Sequence, residues 1–264
     1  MGRSFLILGL QALAGWSSWV WYAQRMRDGS DEPWGLLALL AMGLVLPRGA
    51  RHPLEQRDLV GLAAVNTALV LTSPWLPPLL RAAGCVLSVT ALVSRMTTGR
   101  AFHVGTWLLA LLSLPVLSSV QFYLGYPLRL LAATLASPLL NLLGVPASRE
   151  GLSLRIGSQA ILVDAPCSGA RMLWVGLFLA VTLACLLRLG TRRTLLTCGL
   201  AVGAILLGNA LRVCALTLVE GGHLAGPSWL HDGVGVTSFI PVCLSIAAIC
   251  LWQRSCQQTV EARA

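Results

Sequence analysis

Long apolar runs, repeated along nearly the whole chain, are the feature that most restricts its fold. Hydrophobic residues make up 56% of the 264 residues and charged residues only 11%. A chain of this composition has too little polar surface to fold as an ordinary soluble domain. Because a spanning helix needs about 20 mainly apolar residues, the sequence predicts an all-α, polytopic membrane protein.

The apolar runs predict about eight transmembrane helices. The second run is short, and only a turn around Pro74, Pro77 and Pro78 separates the third run from the fourth. The predicted spans are residues 4–22, 33–46, 59–76, 79–96, 102–123, 170–189, 195–219 and 235–252.

The arginines predict the orientation of these helices, because short cytoplasmic loops carry an excess of positive residues. With eight spans, the arginines of the short loops fall on one side, apart from Arg25 and Arg27 in an outer loop that also carries acidic residues. The chain is therefore predicted to lie in the cytoplasmic (inner) membrane with both termini cytoplasmic. The aligned arginines are Arg48, Arg51, Arg57, Arg95, Arg100, Arg188, Arg192, Arg193 and Arg254.

The chain has a formal net charge of +9. Its basic residues are scattered between apolar runs instead of forming one basic stripe, which argues against a nucleic-acid partner.

One apolar segment, residues 126–145, is interrupted by polar residues and prolines. Pro127, Arg129, Pro138 and Asn141 break its apolar pattern. This composition favours a helix lying at the outer membrane interface. The alternative, that the segment spans the membrane, would reverse the sidedness of every later loop.

The segment that follows, residues 151–163, has the two-residue alternation of a β-strand. Leu152, Leu154 and Ile156 alternate with polar residues before a Gly157-Ser158 turn signal. The pattern predicts a short β-hairpin. An unpaired strand is not tolerated in hydrocarbon, so the hairpin is expected in or above the outer headgroups.

Cys167 is the first candidate functional residue. Six of the eight cysteines lie within apolar runs, where cysteine packs as a small hydrophobic residue. Cys167 instead lies where a polar stretch meets the sixth predicted span, and a helix start favours a thiolate. It is therefore a candidate nucleophile. The spacing of cysteines and histidines matches no metal motif, and no cofactor is predicted.

The predicted topology brings three reactive side-chain types to the outer face. Cys167 begins span six, Arg212 nears the outer end of span seven, and His231 precedes span eight. Each residue also has a simpler interpretation: a packing cysteine, an arginine reaching the headgroups, and a solvated loop histidine. Asn209, one turn from Arg212 on the same helix face, favours a polar pocket there.

Four further residues are possible supporting groups in this cluster: Asn209, Ser168, Asp164 and His223. His223 competes with His231 for one role, and the sequence leaves that choice open. Asp164 could orient a histidine, but simple solvation is favoured. A thiolate, a histidine base and a guanidinium at an oxyanion together suit acyl transfer through a thioester.

Three sequence motifs carry a family resemblance. Ala165-Pro166-Cys167-Ser168-Gly169 opens a helix, Asn209-Ala210-Leu211-Arg212 lies late in the next, and Gly222-His223-Leu224 precedes His231. This pattern resembles the exosortase/archaeosortase family, whose members are polytopic membrane cysteine transpeptidases. The likeness is strongest over residues 126–252. On this resemblance, the chain is expected to consist of N-terminal helices, residues 1–125, and a catalytic region, residues 126–264. Both are expected to belong to one integrated membrane domain.

The resemblance implies a function and a residue for each role. Cys167 matches the nucleophile, Arg212 the essential arginine and His231 the catalytic histidine, whereas His223 fits a nearby position without that role. The implied partners are exported proteins with a C-terminal sorting signal: a short PEP-CTERM-like motif, a transmembrane helix and a basic tail. The enzyme would cleave near the motif and transfer the new C-terminus to an acceptor such as a membrane lipid. In bacteria such systems often accompany exopolysaccharide production.

Two other functions remain open from the residues alone. The first is a non-enzymatic transporter or assembly partner in exopolysaccharide export. Transporters often have internal repeats and charged residues near the membrane midplane, and the sequence shows no evident repeat or charged midplane pair. A membrane protease that only hydrolyses is the other, since the sequence does not separate water from an amine as acceptor. The substrate motif and the oligomeric state are likewise not determined.

Overall fold

The computed structural model describes residues 2–28, 34–46, 52–222 and 230–262. Most of these residues are helical, and the chain divides into two compact units. The first unit comprises Met1–Val116 and Ala184–Thr194, and the second comprises Leu117–Leu183 and Leu195–Ala264. All the elements named below are numbered in chain order.

The N-terminal helices are α1 (Gly2–Ala14), α2 (Trp16–Arg27), α3 (Trp34–Val45), α4 (Gln56–Thr72), α5 (Pro78–Thr98) and α6 (Val104–Leu112). They are followed by α7 (Leu117–Leu142), the strands β1 (Ala147–Glu150), β2 (Ser153–Ile156) and β3 (Gln159–Leu162), and a 3₁₀ turn (Ala165–Ser168). The last helices are α8 (Ala170–Leu186), α9 (Thr191–Glu220), α10 (Leu230–Thr237) and α11 (Phe239–Glu261).

Helix α5 is central to the first unit, where it packs against α1, α2, α4 and α6. A buried guanidinium joins its end to the start of α4. Arg95 donates to the carboxylates of Glu55 and Asp58 at 2.7 and 3.1 Å and to the carbonyl of Gly99 at 3.0 Å. Its charge is therefore neutralised inside the protein, as a buried cation requires.

The core of the second unit lies between α7, the β-sheet and α9. Leu154 and Ile156 point from β2 into a cluster that includes alanines of α7 and Val213 of α9. Small alanine side chains let the strands approach the helix closely. Asn141 on α7 also bonds both backbone groups of Ala147, at 2.8 and 3.0 Å, which fixes the start of β1.

The described residues form a three-stranded antiparallel sheet in the order β1-β2-β3. Strands β2 and β3 pair within the segment 151–163, and they turn at Gly157 and Ser158. Strand β1 was not anticipated from the sequence. Arg155 on β2 donates two 2.7 Å hydrogen bonds to Glu150 on β1, which lowers the pKa of the Glu150 carboxyl and keeps both groups charged at neutral pH.

The predicted spans agree only in part with the helices. Among the residues described, four helical segments are long and apolar enough to cross a membrane, or five if α6 and α7 count as one broken span. Their bounds are Pro78–Thr98, Ala165–Leu186, Thr191–Glu220 and Gly233–Glu261. The other predicted spans coincide with shorter or interrupted helices, so the count of eight stays a prediction.

The boundary predicted between span 102–123 and an interfacial helix 126–145 is wrong. Helix α7 runs unbroken from Leu117 to Leu142 and contains Pro127 and Pro138, whereas the break falls earlier, at residues 113–116. An interior proline removes one hydrogen bond and clashes with the preceding turn, at a cost of about 3 kcal/mol, but neighbouring helices and polar side chains let membrane helices tolerate it. Asn141, which suggested an interface, instead holds β1 to the helix.

Close packing of α9 against α11 yields a stability prediction. A Cβ at Gly208 would collide with Cγ2 of Val242, a buried and stiff side chain, whereas a Cβ at Gly203 on the same helix would meet nothing. We expect Gly208→Ala to destabilise the protein by about 1–3 kcal/mol through overpacking.

Gly203→Ala, the matched control, should be neutral or stabilising by up to about 1 kcal/mol through helix propensity. Thermal unfolding of both variants in detergent measures the difference. Equal Tm values would contradict the packing described for Gly208.

Candidate active site

The turn that carries Cys167 links the sheet to helix α8. Residues Ala165–Ser168 form one 3₁₀ turn, in which the Cys167 amide donates to the Asp164 carbonyl at 3.1 Å. Gly169 ends the turn with a left-handed φ of 80°, and α8 begins only at Ala170. Cys167 therefore lies just before the first regular turn of α8.

Three consecutive carbonyl groups of this turn accept hydrogen bonds from side chains of α7 and α9. Gln121 Nε2 donates to the Ala165 oxygen at 3.0 Å. Arg212 Nη1 donates to the Pro166 oxygen at 3.3 Å, and Asn209 Nδ2 donates to the Cys167 oxygen at 3.1 Å. These three hydrogen bonds tie the turn to both helices and so hold it in place.

Ser168 is buried and completes the support of the turn. Its hydroxyl donates to Gln121 Oε1 at 3.3 Å and accepts from the amide of Ala170 at 3.3 Å. Gln121 thus bonds both ends of the turn. It is the supporting residue that the sequence interpretation missed, although a glutamine within an apolar segment was an available signal.

The Cys167 thiol is half-buried and lies among charged groups. The carboxylate of Asp164 is beside it, and the charges of Arg212 and Glu220 act on it. A narrow pocket next to the thiol is lined by β3 and by α9, and its space of about 10 Å³ suits a single water molecule. This pocket is therefore too small to hold a peptide segment.

Two buried polar atoms near the turn have no hydrogen-bond partner among the described residues. They are Oδ1 of Asn209 and Nε of Arg212. A buried polar atom without a partner costs about 1–3 kcal/mol, so such atoms call for an explanation. A free guanidinium N–H beside a candidate nucleophile is available to a developing negative charge.

Helix α10, which contains the candidate residue His231, lies next to the Arg212 guanidinium. A Cβ at Gly235 would lie 3.7 and 3.8 Å from Nη2 and Nε of Arg212. His231 is one helical turn earlier in α10, and its side chain is outside the described part of the structure. His223 also lies outside the described residues.

The structure thus collects most of the residues singled out from the sequence. Cys167, Ser168 and Asp164 lie in or next to the turn, and Asn209 and Arg212 bond to it from α9. Within the described ranges, no group of three or more His, Cys, Asp or Glu residues is placed to hold a metal ion.

Comparison with known families agrees with this arrangement. The family model described as transmembrane exosortase matches residues 3–248. The chain belongs to the exosortase family. The match also covers the N-terminal helices, which contain none of the sequence motifs that carried the resemblance. Comparisons with curated proteins and with solved structures returned no significant match.

The close contact between Gly169 and Asn209 gives a test of the site's geometry. A Cβ at Gly169 would lie 2.7–3.0 Å from the amide group of Asn209. Gly144 has a similar left-handed φ of 81° but open space around it. Alanine at either position carries the same left-handed strain, about 1–2 kcal/mol.

We therefore expect Gly169→Ala to displace Asn209 and to lower the free energy of unfolding by about 1–3 kcal/mol more than Gly144→Ala does, through overpacking. Thermal unfolding of both variants in detergent measures this difference. Equal Tm values would contradict the contact described between Gly169 and Asn209.

Proposed function

We propose that this exosortase-family protein is a membrane cysteine transpeptidase that cleaves a C-terminal sorting signal through a thioester at Cys167. The observation that carries the proposal is the bonding of Arg212 and Asn209 to the backbone of the turn containing Cys167. This contact places a cysteine, a permanent cation with a free N–H and a polar amide at one point in an apolar protein.

The first chemical step forms the thioester. The Cys167 thiol transfers its proton to a histidine, proposed to be His231, and the sulfur attacks the carbonyl carbon of the scissile peptide bond. The carbonyl oxygen becomes an oxyanion, which the Arg212 guanidinium stabilises. The C–N bond then breaks, and the protonated histidine gives its proton to the leaving amine of the tail.

The second step releases the product. A nucleophile attacks the thioester carbonyl, the C–S bond breaks, and the thiol is restored. An amine or hydroxyl acceptor, such as a membrane lipid, gives a transferred C-terminus, and water gives a free carboxylate. Mass spectrometry of the mature C-terminus distinguishes these two products.

The edge of the β-sheet suits the binding of an extended substrate. Strand β3 pairs with β2 on one side, and its other edge has no strand partner among the residues described. It leads into the Cys167 turn within a few residues, and its Leu162 side chain is 60% exposed. We propose that the segment before the scissile bond adds to β3 as a further strand.

The distribution of loop arginines in the sequence supports the proposed setting. The active site faces the outer side of the cytoplasmic membrane, the termini are cytoplasmic, and the tail helix of an exported protein packs among the spans. The substrate's sorting signal is proposed to be of the PEP-CTERM type, with a motif, a transmembrane helix and a basic tail.

Substitution of the two central residues tests the mechanism. We expect Cys167→Ala to abolish tail removal and Arg212→Gln to slow it about 100-fold or more, the loss typical when one oxyanion donor is removed. Pulse-chase labelling of a tailed membrane substrate gives the rates.

Cys243→Ala and Arg100→Gln are matched controls, because they remove a half-buried cysteine of α11 and an exposed arginine outside the site. Both should process the substrate at the normal rate. Normal tail removal by Cys167→Ala protein, shown to be inserted in the membrane, would contradict the proposed function.

A further inference from the structure

A second polar cavity lies within the first unit, among α1, α2, α4 and α5. It has about 200 Å³ of space, enough for several water molecules at about 30 Å³ each. Polar side chains occupy much of its wall, although all four helices belong to an apolar protein. They are Gln11, Ser17, Ser18, Asn66, Ser73 and Arg81.

The two amides of the cavity already satisfy each other. Gln11 and Asn66 exchange two hydrogen bonds of 2.9 and 2.7 Å, and Gln11 also donates to Ser88 at 2.8 Å. This group therefore forms a fixed polar wall that joins α1, α4 and α5. It does not need a ligand to be stable.

Arg81 differs from the amides, because nothing in the described chain neutralises it. Its Nε is buried without a hydrogen-bond partner, and the residues lining the cavity include no carboxylate. Arg81 lies near the start of the candidate span Pro78–Thr98, where the long side chain of an arginine can reach the headgroup region. In the same unit, the buried Arg95 is paired with two carboxylates.

The surroundings of Arg81 favour one class of ligand. The planar guanidinium binds phosphate through two parallel hydrogen bonds. Ser17 and Ser18 line the same cavity and supply hydroxyl donors. Arg81 also lies in the first turn of α5, where the helix dipole favours a negative charge.

We propose that this cavity binds a phosphate group through Arg81, either in the headgroup of a phospholipid or as a free phosphate ion. The amide wall of Gln11 and Asn66 shapes one side of the site. The binding does not depend on the chemistry at Cys167, so it stands apart from the proposed transpeptidase activity.

The test measures ligand-induced thermal stabilisation of delipidated, full-length protein in detergent. The probes are phosphatidylglycerol, inorganic phosphate, and diacylglycerol as a lipid without phosphate. We expect phosphatidylglycerol or phosphate to raise the Tm by several degrees and diacylglycerol to have no such effect. If phosphatidylglycerol and inorganic phosphate both raise the Tm, a phosphate group is sufficient for binding. If phosphatidylglycerol alone raises the Tm, the ligand is a lipid headgroup.

Variants assign the effect to the cavity. Arg81→Gln should weaken binding at least tenfold, whereas Arg100→Gln, which removes the same charge at an exposed position, should not. If Arg81→Gln does not fold, Arg81→Lys and Ser18→Ala serve instead, and each should weaken binding several-fold. Equal stabilisation by diacylglycerol, no stabilisation by either phosphate compound, or unchanged binding in the Arg81 variants would overturn the proposal.

Discussion

The hydrogen bonding of three consecutive carbonyl groups, at residues 165–167, is the constraint on which the candidate site depends. The last carbonyl groups of a helical turn have no partner within the turn. Gln121, Arg212 and Asn209 supply those partners from two helices. The same contacts that stabilise the turn also fix Cys167 beside a guanidinium, so local structure and proposed chemistry have one physical origin.

The sheet and its neighbouring helices position this turn. Leu154 and Ile156 bury one face of β2 against α7 and α9, which are also the helices that provide the three donors. Strand β3 therefore enters the turn from a fixed direction. Where helices approach most closely, glycine permits the contact, as at Gly208 against Val242. The turn that carries Cys167 is therefore supported by tightly packed elements of the second unit.

Some of this arrangement could be predicted from the sequence, and some could not. Helices α5 and α9 were located to within a few residues because each is one long apolar run without a break. Cys167 and Arg212 were singled out because each lies at the end of such a run, and Arg212 does bond the turn that carries Cys167, whereas their chemical roles stay a prediction. The breaks at Gly15 and at residues 113–116 were not found, because apolar composition continues through them.

The remaining errors come from tertiary hydrogen bonds, which composition does not record. Asn141 was interpreted as a sign of the membrane interface, but it bonds the backbone of Ala147. Gln121 was taken as part of a spanning run, but it bonds Ala165 and Ser168. In each case a polar residue in an apolar helix satisfies backbone or side-chain groups elsewhere in the fold, and the distant partner is not visible in a local pattern.

Chemical capture of the thioester tests the central claim most directly. Membranes carrying the wild-type protein would be treated with hydroxylamine, which converts a thioester to a hydroxamate, and the C-termini of membrane proteins would then be sequenced by mass spectrometry. The account predicts peptides ending in a hydroxamate in wild-type membranes and none in membranes carrying Cys167→Ala at equal level. Hydroxamate peptides of equal abundance in both samples would contradict a covalent role for Cys167.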